Sequence, residues 1–279
     1  MLIDTHAHLY WDLFSKDLNE VIDRSLEARV TTIINVGIDI EKSKQALKQT
    51  EKLSKIKNLS VYSTIGIHPH EAVKFGGLDE LEEIYKSNPE KVVAVGECGL
   101  DYFLQEEYIK LPDGTSLSED QVKNLQRKLF QAQIDLAKKL NLPLIVHCRD
   151  DRSKNPSNTE CWDEVLEMTK DWFGIYHCYS GLPHNTKYII HNTNFLISFA
   201  AIITYPKNDY LREAAKILPL ERIVLETDCP FLPPQSKRGQ RNEPAGVREI
   251  AEVIANLKRL PLEEIALQTT KNVKIVFNL

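Results

Sequence analysis

Eight short β-branched runs alternate with amphipathic segments along the whole chain, and this alternation restricts the fold more than any other feature. The runs are 2–8, 31–36, 60–66, 92–97, 143–147, 174–178, 194–199 and 222–227. Between and after them the spacing predicts helices near 17–29, 42–56, 78–87, 119–141, 159–171, 184–192, 207–217, 246–258 and 262–275. The segment 119–141 is the plainest, because Leu125, Leu129, Ala132, Leu136 and Leu140 recur at three- and four-residue spacing with charges between them. A strand followed by a helix, eight times over, predicts an α/β fold: a single-domain (β/α)8 TIM barrel spanning 1–279. An open doubly wound sheet shares the alternation. The length of 279 residues suits one such barrel, and no linker, repeat or low-complexity segment divides it.

In a barrel the chemistry sits at the C-terminal ends of the strands, so each run is read for its last inward residues. The first ends in His6-Ala7-His8, whose i, i+2 spacing puts both imidazoles on one face. The fourth ends in Glu97, between Gly96 and Gly99; the fifth ends in His147 and the sixth in His177. The eighth runs into Asp228, and the third stops just before His68-Pro69-His70. Each of these alone has an ordinary structural explanation, such as a hydrogen-bonded core pair, a helix cap or a loop salt bridge. Together they bring four histidines and two carboxylates to one rim. That donor set suits Zn²⁺, Mn²⁺ or Fe²⁺ and exceeds what one tetrahedral ion needs. Two divalent cations about 3.5–4 Å apart would use all six, with Glu97 as the bridge. A buried lone carboxylate is costly to ionise, which also calls for such a partner.

Cys98, Cys148, Cys178 and Cys229 each directly follow a proposed ligand. Strand alternation then turns Cys148 and Cys178 towards the helix layer as small apolar packers, and Cys161 also reads as structural. Five cysteines without a C-x-x-C spacing point to reduced thiols. The N-terminal stretch lacks a basic region followed by a long apolar run, and no apolar run has membrane-spanning length, so a cytoplasmic monomer is expected. The net charge of −5, from 35 basic and 40 acidic residues, argues against a general coat for duplex DNA. It leaves room for an enzyme that grips one strand end locally.

The segments DTHAHL (4–9), GIHPH (66–70), GECGLDY (96–102) and LPLIVHCRD (142–150) resemble the TatD family of metal-dependent deoxyribonucleases. So do HCYSG (177–181), ETDCPFLPP (226–234), RGQRNEP (238–244) and the Gln126/Phe130/Gln133 spacing. The resemblance runs in order through nearly the whole chain. It implies that His6, His8, Glu97 and Asp228 hold one ion, that Glu97, His147 and His177 hold the other, and that His68 sits near the scissile phosphate. It also implies Mg²⁺- or Mn²⁺-supported cleavage of DNA, often from 3′ to 5′, with zinc often seen in such sites. The stretch 104–125 and the segment 151–160 are longer than is usual in the family. Both rise from the catalytic face, where loops choose substrates.

The expected function is therefore that of a hydrolase cleaving phosphodiester bonds in single-stranded DNA or at 3′ ends. Two cations would bind the phosphate and activate water, Asp228 would take the water's proton, and His68 would hydrogen-bond the phosphate or the leaving oxygen. Arg149, Arg152, Lys207, Arg238 and Arg241 are candidate phosphate contacts, and Tyr102, Tyr205 and Phe231 candidate stacking partners for an unpaired base. Glu226 is expected to orient Arg241; His70, His184 and His191 are expected to be structural or exposed. One rival is an ester, amide or lactone hydrolase on the same scaffold, for example a D-aminoacyl-tRNA deacylase. Many such relatives bridge their metals with a modified lysine, whereas Glu97 holds that position here and Lys91 lies at the other end of the strand. Another rival is a non-catalytic metal-binding protein, which would have no need of a base.

Overall fold

The structure, a computed structural model, describes residues 1–111 and 113–279. Eight strands form one parallel sheet in sequence order: β1 (Leu2–Ala7), β2 (Val30–Asn35), β3 (Ser60–Ile65), β4 (Val92–Asp101), β5 (Leu144–Arg149), β6 (Phe173–Tyr176), β7 (Asn194–Phe199) and β8 (Ile223–Leu225). The segment after β8 folds back onto β1. There the Asp228 N–H donates to His6 O at 2.9 Å, and the His8 N–H donates to Cys229 O at 2.8 Å. The sheet thus curls into the barrel that the alternation predicts. Outside it run α1 (Leu18–Glu27), α2 (Ile40–Leu53), α3 (Asp79–Ser87), α4 (Glu119–Leu140), α5 (Glu160–Thr169), α6 (Pro183–Asn192), α7 (Asp209–Ile217), α8 (Val247–Lys258) and α9 (Leu262–Phe277).

Two apolar clusters hold the layers together. The inner one joins Ile3, Ile34, Val93, Ile145, Ile175 and Val224 across the barrel and meets Val273, Val276 and Phe277 of α9. The last turns of α9 therefore close the bottom of the barrel, leaving the top for polar side chains. The larger cluster fills the space between strands and helices.

Three departures from the predicted elements shape the site. First, β4 does not stop at Glu97 but continues to Asp101. The glycines flanking Glu97 let β5 approach closely: a Cβ on Gly96 would lie 2.6 Å from Ile145 O, and one on Gly99, at φ +137°, would collide with His147 O. Second, β6 ends at Tyr176 and β8 at Leu225, so His177 and Asp228 lie in the segments just beyond their strands. Third, alternation no longer applies past the end of β6. Cys178, with φ 42°, faces the central cleft rather than the helix layer. Cys148 does face outwards, with its Sγ 3.5 Å from that of Cys161 on α5.

Candidate metal centre

At the top of the barrel, Glu97 presents a different oxygen to each side. Its Oε2 lies 3.2 Å from His6 Nε2 and 3.9 Å from His8 Nε2. Its Oε1 lies 2.9 Å from His177 Nε2, 3.0 Å from His147 Nδ1 and 3.4 Å from His68 Nε2. Asp228 completes the first side, with Oδ1 3.4 Å from His8 Nε2 and 3.8 Å from His6 Nε2. All six residues singled out at the strand ends thus converge, and His68 stands beside them.

Whether these groups fit cations can be judged from the nitrogens that face away from the cluster. His8 Nδ1 lies 2.9 Å from Val36 O, His147 Nε2 lies 3.0 Å from Asp101 Oδ2, and His177 Nδ1 lies 3.2 Å from Glu226 Oε1. Each of those oxygens is an acceptor, so each outer nitrogen carries the proton and each inner one a lone pair. Lone pairs are therefore aimed at carboxylate oxygens, and inner nitrogens face each other at 3.2 Å (His6 and His8) and 3.3 Å (His147 and His177). Such a convergence is repulsive unless positive charge sits within it. The residues fit metal binding. Protons show the same demand: burial would lower His177, but Glu97 and Glu226 beside it raise it well above the ordinary imidazole value. Burial would raise Glu97, but the imidazoles of His177, His68 and His6 and the hydrogen bond with His147 hold it well below the usual carboxylate range.

His68 is different. Its Nδ1 accepts the His70 N–H at 3.2 Å, so Nε2 carries the proton and points it at Glu97. Burial lowers its pKa to about 4, against the pull of Glu97, so it is neutral at pH 7. It offers the cluster a hydrogen-bond donor rather than a lone pair.

Several groups in the site are missing from the sequence reading. Asp101 accepts from His147 and, through the same oxygen, meets His70 Nε2 at 3.0 Å. Burial would raise Asp101, but those two imidazoles hold it well below the normal range. Its place four residues beyond Glu97 in the same strand is the one signal, hidden by ending the strand early. His70, expected to be structural or exposed, thus packs against the site through Asp101, and His184 and His191 are exposed on α6 as expected. Glu226 does not orient Arg241. It is fully buried, accepts the Cys178 N–H at 2.6 Å and faces His177.

The cleft over the cluster has a volume of about 670 Å³ and is lined by Arg149, Tyr108, Trp11, Phe231, Cys178 and Ile202, among others. Of the candidate phosphate contacts, Arg149 is exposed and faces this space, its guanidinium 4.2 Å from the Phe103 ring centroid. Arg241 is instead engaged with Asp17 at 2.6 Å and Glu243 at 2.9 Å, tying the chain after β8 to the start of α1. Arg152 is likewise occupied, by Ser180 O and Asp150. Tyr102 cannot stack a base, because it is buried and its hydroxyl donates to Glu164 at 2.5 Å. Phe231, 45% exposed and 6.2 Å from the His8 ring, can.

The family model described as TatD related DNase matches residues 3–278. Over the full length of both chains this protein is 38% identical to an uncharacterized metal-dependent hydrolase, YabD, of Bacillus subtilis. It is 28% identical to the 3′-5′ ssDNA/RNA exonuclease TatD of Shigella flexneri, an alignment covering 100% of this chain and 99% of that one. Among solved structures, the TatD homologue YjjV of Escherichia coli superposes with a TM-score of 0.83 at 28% identity, covering 100% of this chain and 98% of that one. The chain belongs to the TatD-related DNase family.

Proposed function

We propose that the protein is a two-cation phosphodiesterase that shortens single-stranded DNA from its 3′ end, acting as a cytoplasmic monomer. The observation that carries this reading is the division of Glu97, with one oxygen towards His6 and His8 and the other towards His147 and His177. His6, His8, Glu97 and Asp228 would hold one ion, and Glu97, His147 and His177 the other. Zn²⁺, Mn²⁺ or Mg²⁺ bound there would neutralise the phosphate's charge and lower the pKa of attacking water.

The chain's own residues do the rest. Burial would raise Asp228, but a hydrogen bond with His8 and the nearby imidazoles keep it below the usual carboxylate range. It is thus ready to accept the water's proton at neutral pH. Its side chain is 16% exposed against 5% for Glu97, so it is the carboxylate nearer the cleft. His68 donates its Nε2 proton to a phosphate or leaving oxygen, Arg149 meets a neighbouring phosphate, and Phe231 stacks an unpaired base. The Shigella relative's name supports the single-stranded substrate and its polarity. Five free thiols support a reducing compartment, and no described helix is long and apolar enough to cross a membrane.

The test is cleavage of end-labelled single-stranded DNA by chelated and then metal-restored protein, with Glu97→Ala as control. A ladder shortening from the 3′ end, restored by Mn²⁺ or Mg²⁺ and absent in the variant, is the expected result. No cleavage by protein carrying two metals would reject the substrate and move attention to esters, amides and aminoacyl-tRNA.

A further inference from the structure

The stretch between β4 and α4 does more than overhang the cleft. None of its described residues from 104 to 118 is buried. A short hairpin joins Leu111 N to Thr115 O at 2.8 Å and Leu117 N to Ile109 O at 2.8 Å, and the turn Glu106–Tyr108 precedes it. That turn lays the Tyr108 ring flat on His70, with centroids 3.6 Å apart and planes within 10°. His70 Nε2 then meets Asp101 Oδ2 at 3.0 Å, and the same oxygen meets His147 Nε2 at 3.0 Å. His147 turns its Nδ1 to Glu97 at 3.0 Å. An unbroken line of stacking and hydrogen bonds thus joins an exposed loop to the cluster around Glu97.

The inner part of this line is rigid. Asp101 Oδ1 accepts the Phe103 N–H at 2.9 Å, and its backbone N–H and C=O are both paired with the Gln126 amide. Two imidazoles reaching one Oδ2 fix the plane of the carboxylate, and that plane sets the direction in which His147 points its lone pair. The outer part is soft, since a loop whose described residues are all at least partly exposed opens easily. Tyr108 is its aromatic foothold on the barrel.

We propose that Tyr108, His70 and Asp101 are positioning residues for the cation at His147, so that docking of the 104–118 loop and occupancy of that cation favour each other. This rests on the two-cation reading above. Linkage makes the relation reciprocal: whatever factor the docked loop adds to cation affinity, the cation adds to loop docking. Stacking on His70 excludes water from the His70–Asp101 bond, which keeps the carboxylate in register. A substrate strand that passes along this rim would meet Tyr108 beside Arg149, where both line the cleft.

The experiment is calorimetric titration of Mn²⁺ into metal-free protein, paired with hydrogen exchange of the 104–118 amides with and without Mn²⁺. Wild type is compared with Tyr108→Ala, Tyr108→Phe and the near-isosteric Asp101→Asn, each checked for wild-type circular dichroism. Asp101→Asn is expected to weaken one of two Mn²⁺ ions by about 10–100-fold. Tyr108→Ala should weaken the same ion several-fold, and Tyr108→Phe, which keeps the stack, should restore it. Mn²⁺ should slow exchange in the loop of wild type and not of Tyr108→Ala, a reciprocity that a loop serving only stability would not show. Two Mn²⁺ ions bound by Tyr108→Ala with wild-type affinity, and loop exchange indifferent to Mn²⁺, would overturn the coupling alone. A wild-type protein that binds no Mn²⁺ would overturn the two-cation reading and the coupling together.

Discussion

Asp4 lies two residues before His6, fully buried, and burial pushes its carboxyl up to about 8 against hydrogen bonds from Thr227 and the His6 N–H. It is protonated at neutral pH and holds the β1–β8 seam as an acid. Thr227 Oγ1 is 2.6 Å from its Oδ2, while Oδ1 accepts two backbone N–H groups. Between its unfolded value, near 3.8, and about 8 the folded state holds more protons than the unfolded state. Stability from this group is therefore complete below the unfolded pKa and falls as pH rises through the folded one, by up to about 1.4 kcal/mol per pH unit. Asp4→Asn keeps the acceptor for both N–H groups and offers an amide N–H to Thr227. We expect it to fold normally and to remove most of this loss. Urea unfolding of both metal-free proteins at pH 6 and pH 8 checks it, and equal losses in the two would show that Asp4 does not titrate there. At this scale the convergence of His6, His8, Glu97, His147, His177 and Asp228 is legible, because strand ends point at one rim and position alone brings these candidate ligands together. What each arginine or tyrosine does is not legible. Arg241 and Tyr102 are taken up by Asp17, Glu243 and Glu164, partners that only the fold brings near.

Helix α4 shows what an element contributes beyond burying its apolar face. Gln126 and Gln133 are seven residues apart, two turns, and so lie on the same side of the helix. Both are fully buried. Each pairs its amide with the N–H and C=O of one residue on the barrel rim: Gln126 with Asp101 at 2.9 and 3.0 Å, Gln133 with Ile67 at 2.7 and 2.9 Å. One helix thereby fixes the end of β4 and the approach to His68. Gln126→Leu leaves a buried donor and acceptor unpaired, and we expect a loss of about 1–3 kcal/mol in urea unfolding together with reduced turnover. Gln133→Leu should cost as much stability and act on turnover through His68. A Leu variant as stable as wild type would mean that water replaces the clamp. The helix itself is readable from its apolar spacing, and in the structure Ser118 starts it, with a capping box to Gln121 that closes the first turn. The clamp is not readable, because the backbone groups it meets are 25 and 66 residues away.

Across the whole molecule, the six clustered side chains come from β1, β4, β5 and the segments that follow β1, β6 and β8. They stand over the seam where the barrel closes: β8 has three residues, and the described bridge to β1, Ala7 with Cys229, comes from the segment beyond it. The barrel's order is legible because each strand pairs with its sequence neighbour. The closing contact joins the first strand to the segment after the last one, and no local pattern announces it. Cations held by Asp228 on one side and by His6 and His8 on the other, with Glu97 reaching in from β4, would tie that seam shut, and they would bind the native state far better than the unfolded chain. Mass action then stabilises the fold by about 2.7 kcal/mol at a hundredfold excess over Kd. For a chain of this size that corresponds to a rise in Tm of about 5 °C per cation site. Thermal unfolding of chelated and Mn²⁺-restored protein should show this gap, and Glu97→Ala should lose most of it. A chelated protein shown to be metal-free but melting with the restored one would mean that the seam closes unaided, on its backbone bonds (Asp228 to His6 and His8 to Cys229) together with the Asp4–Thr227 and Thr5–Leu225 hydrogen bonds.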